Sequence, residues 1–147
     1  MADRSPFATS GIHHVALRVE DVEGPKNWLV TVLGFRVERE FQFAGNEVVL
    51  LSPGGAKVPV IELIGGPVEN DRQLPGSVLD IVKRPGWHHV CLQVSSVEEC
   101  MSDLRRREVK ILLDVTDGVP EIGVEKIAFI SDPWGNVYEL LQLADER

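Results

Sequence analysis

The sequence predicts an α+β fold: two tandem βαβββ modules whose strands form one curved, cup-shaped mixed sheet with helices on the convex side. Three observations carry this expectation. First, the segment Gly11-Ile12-His13-His14-Val15-Ala16-Leu17-Arg18-Val19 returns 75 residues later as Gly86-Trp87-His88-His89-Val90-Cys91-Leu92-Gln93-Val94. Second, Val60-Ile61-Glu62-Leu63-Ile64 is echoed 77 residues later by Val137-Tyr138-Glu139-Leu140-Leu141. Third, the hydrophobic period in each half switches from 2 to 3.6 and back to 2, as a strand, a helix and further strands require. A repeat of two units is too short for a solenoid, which needs at least three.

The first strand is expected over residues 14–19, where Val15, Leu17 and Val19 alternate with His14, Ala16 and Arg18. Asp21 then offers an N-cap and Pro25 suits a first helical turn. Val22, Leu29, Val32 and Leu33 supply the apolar stripe, and Gly34 is placed to end the helix in the left-handed region. Strand-like runs follow at Phe35–Phe43, Glu47–Ser52 and Val58–Ile64, separated by Ala44-Gly45-Asn46 and Pro53-Gly54-Gly55.

Residues 65–86 are rich in Gly and Pro and read as a linker, with a short helix expected around Ser77–Val82. The second half opens with a strand over Trp87–Val94. A capping box, Ser96-Val97-Glu98-Glu99, starts its helix, with Val97, Cys100, Met101 and Leu104 inward. Arg105-Arg106-Arg107 falls at the helix C-terminus, where cations oppose the macrodipole, so it reads as a solvated helix end. Strands are expected at Val109–Val115, Val124–Ser131 and Val137–Leu143, with Asp132-Pro133-Trp134-Gly135-Asn136 as a turn. The whole, 1–147, is expected to be one domain, with modules at 11–64 and 87–143.

Bulk properties narrow the function. At 147 residues the chain can bury an ordinary core. Its net charge of −8 argues against a partner held by phosphate contacts, whether nucleic acid or an anionic membrane surface. No apolar run reaches the ~18 residues of a membrane-spanning helix. Met1–Ser10 lacks a secretory core, so a cytoplasmic protein is expected. Cys91 and Cys100 lack a CxxC spacing and are expected to be buried free thiols.

The chemistry lies in the duplicated His and Glu. Glu62 and Glu139 each sit inside an apolar run, where a carboxylate is costly to bury unless it is paired or bound to a metal. Either alone also fits a strand face turned to solvent; both at equivalent repeat positions favour the paired or metal-bound role. Strand alternation allows only one of each His pair on the concave face. His14 and His89 lie in phase with Ala16 and Arg18, and with Cys91 and Gln93, and are taken as the ligands. His13 and His88 are left to packing or to outer-shell contacts. Two imidazoles and two carboxylates neutralise a divalent cation, and such N/O donors suit Zn, Ni, Co, Fe or Mn, with Zn the first expectation.

The segments HHVALRVEDVE, LGFRV, HHVCLQV and DPWGNVYELL, in this order over residues 11–143, resemble the vicinal oxygen chelate superfamily. That superfamily includes glyoxalase I, methylmalonyl-CoA epimerase, fosfomycin-resistance proteins, extradiol dioxygenases and bleomycin-resistance proteins. The resemblance implies metal ligands on the first and last strands of each module, at His14, Glu62, His89 and Glu139. It implies Glu139 as catalytic base with Glu62 as its pseudo-symmetric partner, and a homodimer acting on a small molecule. Arg18 matches a substrate-binding position of glyoxalase I. Gly66 and the loop Val119-Pro120-Glu121-Ile122-Gly123 depart from that enzyme, and Glu62 stands where epimerases commonly carry Gln. The expected function is a divalent-metal-dependent epimerase or isomerase working through an enediolate, on an α-hydroxy-ketone such as a cyclitol or sugar-like ketone, or on a 2-acyl thioester. The alternatives are a glyoxalase I-type lactoylglutathione lyase and a non-catalytic protein that sequesters a hydrophobic compound, with Trp87 and Trp134 as stacking residues.

Overall fold

The computed structural model describes residues 12–55, 60–69, 74–81 and 87–145. The chain divides into two compact units, Met1–Asn70 and Asp71–Arg147.

The first unit holds β1 (His14–Arg18), α1 (Glu23–Leu33), β2 (Arg36–Phe43), β3 (Asn46–Ser52) and β4 (Val60–Ile64). Its sheet runs in the order β1-β4-β3-β2. β1 and β4 are parallel, because α1 and two strands intervene; the other pairings are antiparallel. The Asp21 carboxylate accepts from the backbone N–H groups of Glu23 and Gly24, satisfying donors that the first helical turn leaves open. Gly34 closes α1 at φ 68°, as its position required. Ala44 and Gly45 turn the β2–β3 hairpin with φ of 51° and 77°, the paired positive values of a tight primed turn. Val22, Leu29, Val49, Leu51 and Leu63 form the core, each no more than 2% exposed. β2 is exposed along its whole length, and Arg36, Glu38, Arg39 and Glu40 protect this edge from pairing.

The second unit holds α2 (Val78–Ile81), β5 (Val90–Gln93), α3 (Val97–Arg106), β6 (Lys110–Asp117), β7 (Val124–Ser131) and β8 (Val137–Leu143). A 3-10 turn, Pro120–Ile122, joins β6 to β7. The sheet order is β5-β8-β7-β6, with β5 and β8 parallel. Ser96 caps α3, its side chain accepting from the Glu99 N–H at 3.2 Å. Val97, Met101 and Leu104 are buried with Ala128, Ile130, Tyr138 and Leu140. Arg106 and Arg107 pair with Asp103, and Arg105 with Asp114, so the basic run is spent on surface ion pairs. Asp132 stabilises the β7–β8 turn by accepting from the backbone of Trp134 and Asn136 and from the Asn136 side-chain amide.

Both units are βαβββ, as the repeat predicted. The differences are local. β5 is four residues rather than eight, because Trp87, His88 and His89 precede its ladder and Val94 follows it. The short helix of the linker is α2, and Val82 lies outside the described residues, as do Val58 and the expected N-terminal arm. Both cysteines are free, but Cys91 is exposed and Cys100 half-buried, not buried as expected. Cys91 shares a face with Glu139, not with the core. Among the described residues no helix is long and apolar enough to cross a membrane.

Candidate functional site

Parallel pairing brings the duplicated residues together within each unit. In the first, Ala16 lies opposite Glu62, so His14, two residues earlier on β1, stands on the same face as Glu62. His14 Nε2 is 3.7 Å from Glu62 Oε2, with the side chains 41% and 19% exposed. Leu50 lies opposite Glu62 on the other side.

In the second unit Cys91 lies opposite Glu139 from β5 and Phe129 from β7. His89 Nε2 is 2.8 Å from Glu139 Oε2, with the side chains 29% and 14% exposed. The Phe129 ring meets the His89 ring edge-to-face at 5.2 Å. Partial desolvation of its sulfur, together with the charge of Glu139 and a hydrogen bond to it, pushes the Cys91 thiol up to about 12 although the residue is exposed. The thiol is therefore neutral at physiological pH beside the carboxylate.

The donor set fits a divalent cation. In each unit an imidazole Nε2 and a carboxylate oxygen face one another, and neither carboxylate is paired with a Lys or Arg among the described ion pairs. Two ligands bonded at ~2.1 Å with ordinary angles lie ~3.0–3.4 Å apart. The observed separations of 3.7 and 2.8 Å bracket that range. Each unit by itself supplies a pair. Among the described residues no group of three or more His, Cys, Asp or Glu side chains is gathered into a metal-holding cluster.

Arg18, expected at a substrate-binding position, is engaged by groups of its own unit. Its guanidinium donates to the carbonyls of Ile64 at 2.9 Å, Gly65 at 2.5 Å and Pro67 at 3.4 Å, and to Asn46 Oδ1 at 3.3 Å. It ties the end of β4 to the β2–β3 hairpin. Trp87 is 95% exposed and Trp134 40% exposed, so neither is core. An open cleft of about 470 Å³ lined by Asp117, Gly123, Glu125 and Asp145, among others, contains none of the four candidate ligands.

Sequence reasoning missed one set of contacts. His13 Nδ1 lies 3.0 Å from His14 Nδ1, and His88 Nδ1 lies 2.7 Å from His89 Nδ1. Strand alternation was expected to part these neighbours, but His13, His88 and His89 precede the strands, where the backbone is free of the two-residue period. The doubled His in both repeats was the available signal.

Comparison with known proteins agrees with the architecture. The profile of the Glyoxalase/Bleomycin resistance protein/Dioxygenase superfamily matches residues 13–129. The mitochondrial methylmalonyl-CoA epimerase of Mus musculus is 29% identical over 105 residues, which is 70% of this chain and 56% of that protein. The chain thus spans little more than half the length of the curated relatives it matches. The trypanothione-dependent glyoxalase I of Leishmania major superposes with a TM-score of 0.63 at 22% identity, covering 91% of this chain and 87% of that one. A mutant fosfomycin resistance protein of Listeria monocytogenes, in complex with Mn(II) and a dihydroxypropylphosphonic acid, superposes with a TM-score of 0.62 at 15% identity, covering 92% and 94%.

Proposed function

We propose that this chain, which belongs to the glyoxalase/bleomycin resistance protein/dioxygenase superfamily, is a divalent-metal-dependent epimerase or isomerase. It removes a proton from the carbon next to a substrate carbonyl and returns it. The observation that carries this reading is the facing His–Glu pair in each unit, His14 with Glu62 and His89 with Glu139. The four are the proposed ligands, the second pair coming from the other module of the same chain or of a second copy in a homodimer. When bound, the cation acts as a Lewis acid that stabilises charge developing on the substrate oxygen; Zn is the first choice, with Ni, Co, Fe and Mn behind it.

The chain's own groups handle the proton. Glu139 is the more shielded carboxylate, walled by Phe129, by His89 and by a neutral Cys91 thiol. Glu139 is therefore the base that takes and returns the α-proton, and Glu62, more open and 3.7 Å from its His, serves the opposite face. The substrate is a small α-hydroxy-ketone or a 2-acyl thioester; similarity to methylmalonyl-CoA epimerase supports the second. Against a lactoylglutathione lyase stands Arg18, whose guanidinium is held by backbone carbonyls rather than offered to a ligand carboxylate. A cytoplasmic setting belongs to the same proposal. The sequestration reading draws support from the exposed Trp87 and Trp134, and predicts tight ligand binding that Glu139→Gln leaves unchanged.

The test is metal content. Wild-type protein should carry near-stoichiometric transition metal, with Glu62→Ala, His89→Ala and Glu139→Ala each losing most of it. Wild type should also wash deuterium into the α-position of a competent substrate, and Glu139→Gln should slow this by ~10²-fold or more. Wild type that holds no metal even after addition of Zn, Ni, Co or Mn rules the enzyme reading out.

A further inference from the structure

We infer that His13 and His88 are positioning residues: each couples its own tautomer to that of the ligand beside it through an Nδ1···Nδ1 hydrogen bond, so neighbouring rings carry their protons on opposite nitrogens. The inference rests on the ligand assignment above, but its first test does not require a metal. The contact occurs twice, at 3.0 Å between His13 and His14 and at 2.7 Å between His88 and His89. The rings meet edge-on in both units, with interplanar angles of 88° and 86°. One unusual contact present in both units argues that the geometry is selected by the local sequence.

The consequence is chemical. A neutral imidazole carries one proton, on Nδ1 or on Nε2. A hydrogen bond between two Nδ1 atoms needs a proton on one and a lone pair on the other. In a neutral pair one ring is therefore the Nδ1–H tautomer and its neighbour the Nε2–H tautomer. His89 Nε2 is aimed at Glu139 Oε2, 2.8 Å away. Without a cation, Nε2–H donates to that carboxylate, His89 Nδ1 accepts, and His88 holds its proton on Nδ1. For Nε2 to offer a lone pair to a cation, His89 must keep its proton on Nδ1 and donate it to His88. His88 then carries its own proton on Nε2. That nitrogen is buried with no hydrogen-bond partner, so the ring has no competing polar contact there. Ligand histidines generally depend on such an outer partner at the second nitrogen; here a second imidazole fills the role, and unlike a carbonyl it both donates and accepts.

The experiment is long-range ¹H–¹⁵N correlation spectroscopy on metal-free, histidine-labelled protein, followed by chelator competition with Zn. Opposite tautomers within each pair are expected, with both rings of a pair inverting on Zn loading. The same tautomer on both rings of a pair in the metal-free protein would overturn the inference. His88→Leu should weaken Zn binding ~10–100-fold. His88→Asn should restore most of it, because its side-chain oxygen hangs from Cγ where Nδ1 does and can accept the same proton. Equal weakening by Leu and Asn, or none by either, overturns the positioning role; His13→Leu and His13→Asn repeat the comparison in the other module. If wild type binds no Zn, the metal proposal falls, while the tautomers of the metal-free protein still decide the pairing.

Discussion

Gly66 stands against the Arg18 guanidinium at φ 135°, a conformation that side-chain-bearing residues rarely adopt. A Cβ there would fall 2.8 Å from Arg18 Nη2 and 2.7 Å from Asn46 Oδ1. Gly66 makes room for the Arg18 clamp on Ile64, Gly65 and Pro67. Gly66→Ala should therefore destabilise the protein by about 1–3 kcal/mol, and an unchanged urea midpoint would show that the clamp is dispensable. Cys91 offers a second test at this scale. Its thiol is pushed up to about 12 by partial desolvation of its sulfur and then by Glu139. Although the residue is exposed, alkylation of metal-free protein at pH 8 should be much slower than for an unperturbed thiol. Glu139→Gln removes the negative charge and should speed labelling; equal rates in the two proteins would separate Cys91 from the site.

Among the elements, α3 depends most visibly on its ends. Ser96 satisfies the Glu99 N–H, and Val97 N–H is taken by the Gln142 side chain at the end of β8. Ser96→Ala should lower stability by about 1 kcal/mol, read as a fall in melting temperature with helix content at low temperature unchanged. The parallel pairs β1–β4 and β5–β8 matter more for function. They bring a His at or just before the start of one strand beside a mid-strand Glu of the other. A slip of one residue in either pair would turn the Glu into the opposite face. Buried runs such as Val60-Ile61 and Leu140 hold the register.

For the whole molecule, the proposed cation links metal binding to folding. A cation that binds only the folded chain at 100 times its Kd adds about 2.7 kcal/mol. Zn should raise the melting temperature of wild type, and Glu62→Ala and Glu139→Ala should each abolish most of the rise although they lie in different units. A rise that survives either substitution would show that one His–Glu pair binds the cation alone. The net charge of −8 makes a second molecular prediction: retention on a DNA column should be negligible even at low salt.

Much of this was legible in the chain itself. The repeat marked two βαβββ modules, and the turn residues marked their joints: Gly34 had to end α1 and Ala44-Gly45 had to turn the hairpin. The duplicated His and Glu named both candidate pairs, since a carboxylate repeated inside an apolar run needs a partner. These features are local, governed by backbone period, capping and turn chemistry, which a sequence displays directly. Three matters were decided only by tertiary structure. Arg18 was drawn to carbonyls that sit some 46 residues further along the chain. Cys91 was set against Glu139 by the parallel register of β5 and β8. The neighbouring imidazoles met because His13 precedes β1, and His88 and His89 precede β5, outside the two-residue alternation of the ladders. Each depends on where hydrogen-bonded pairing begins and what lies across from it, and pairing between distant segments is settled by packing rather than by the residues of either segment alone.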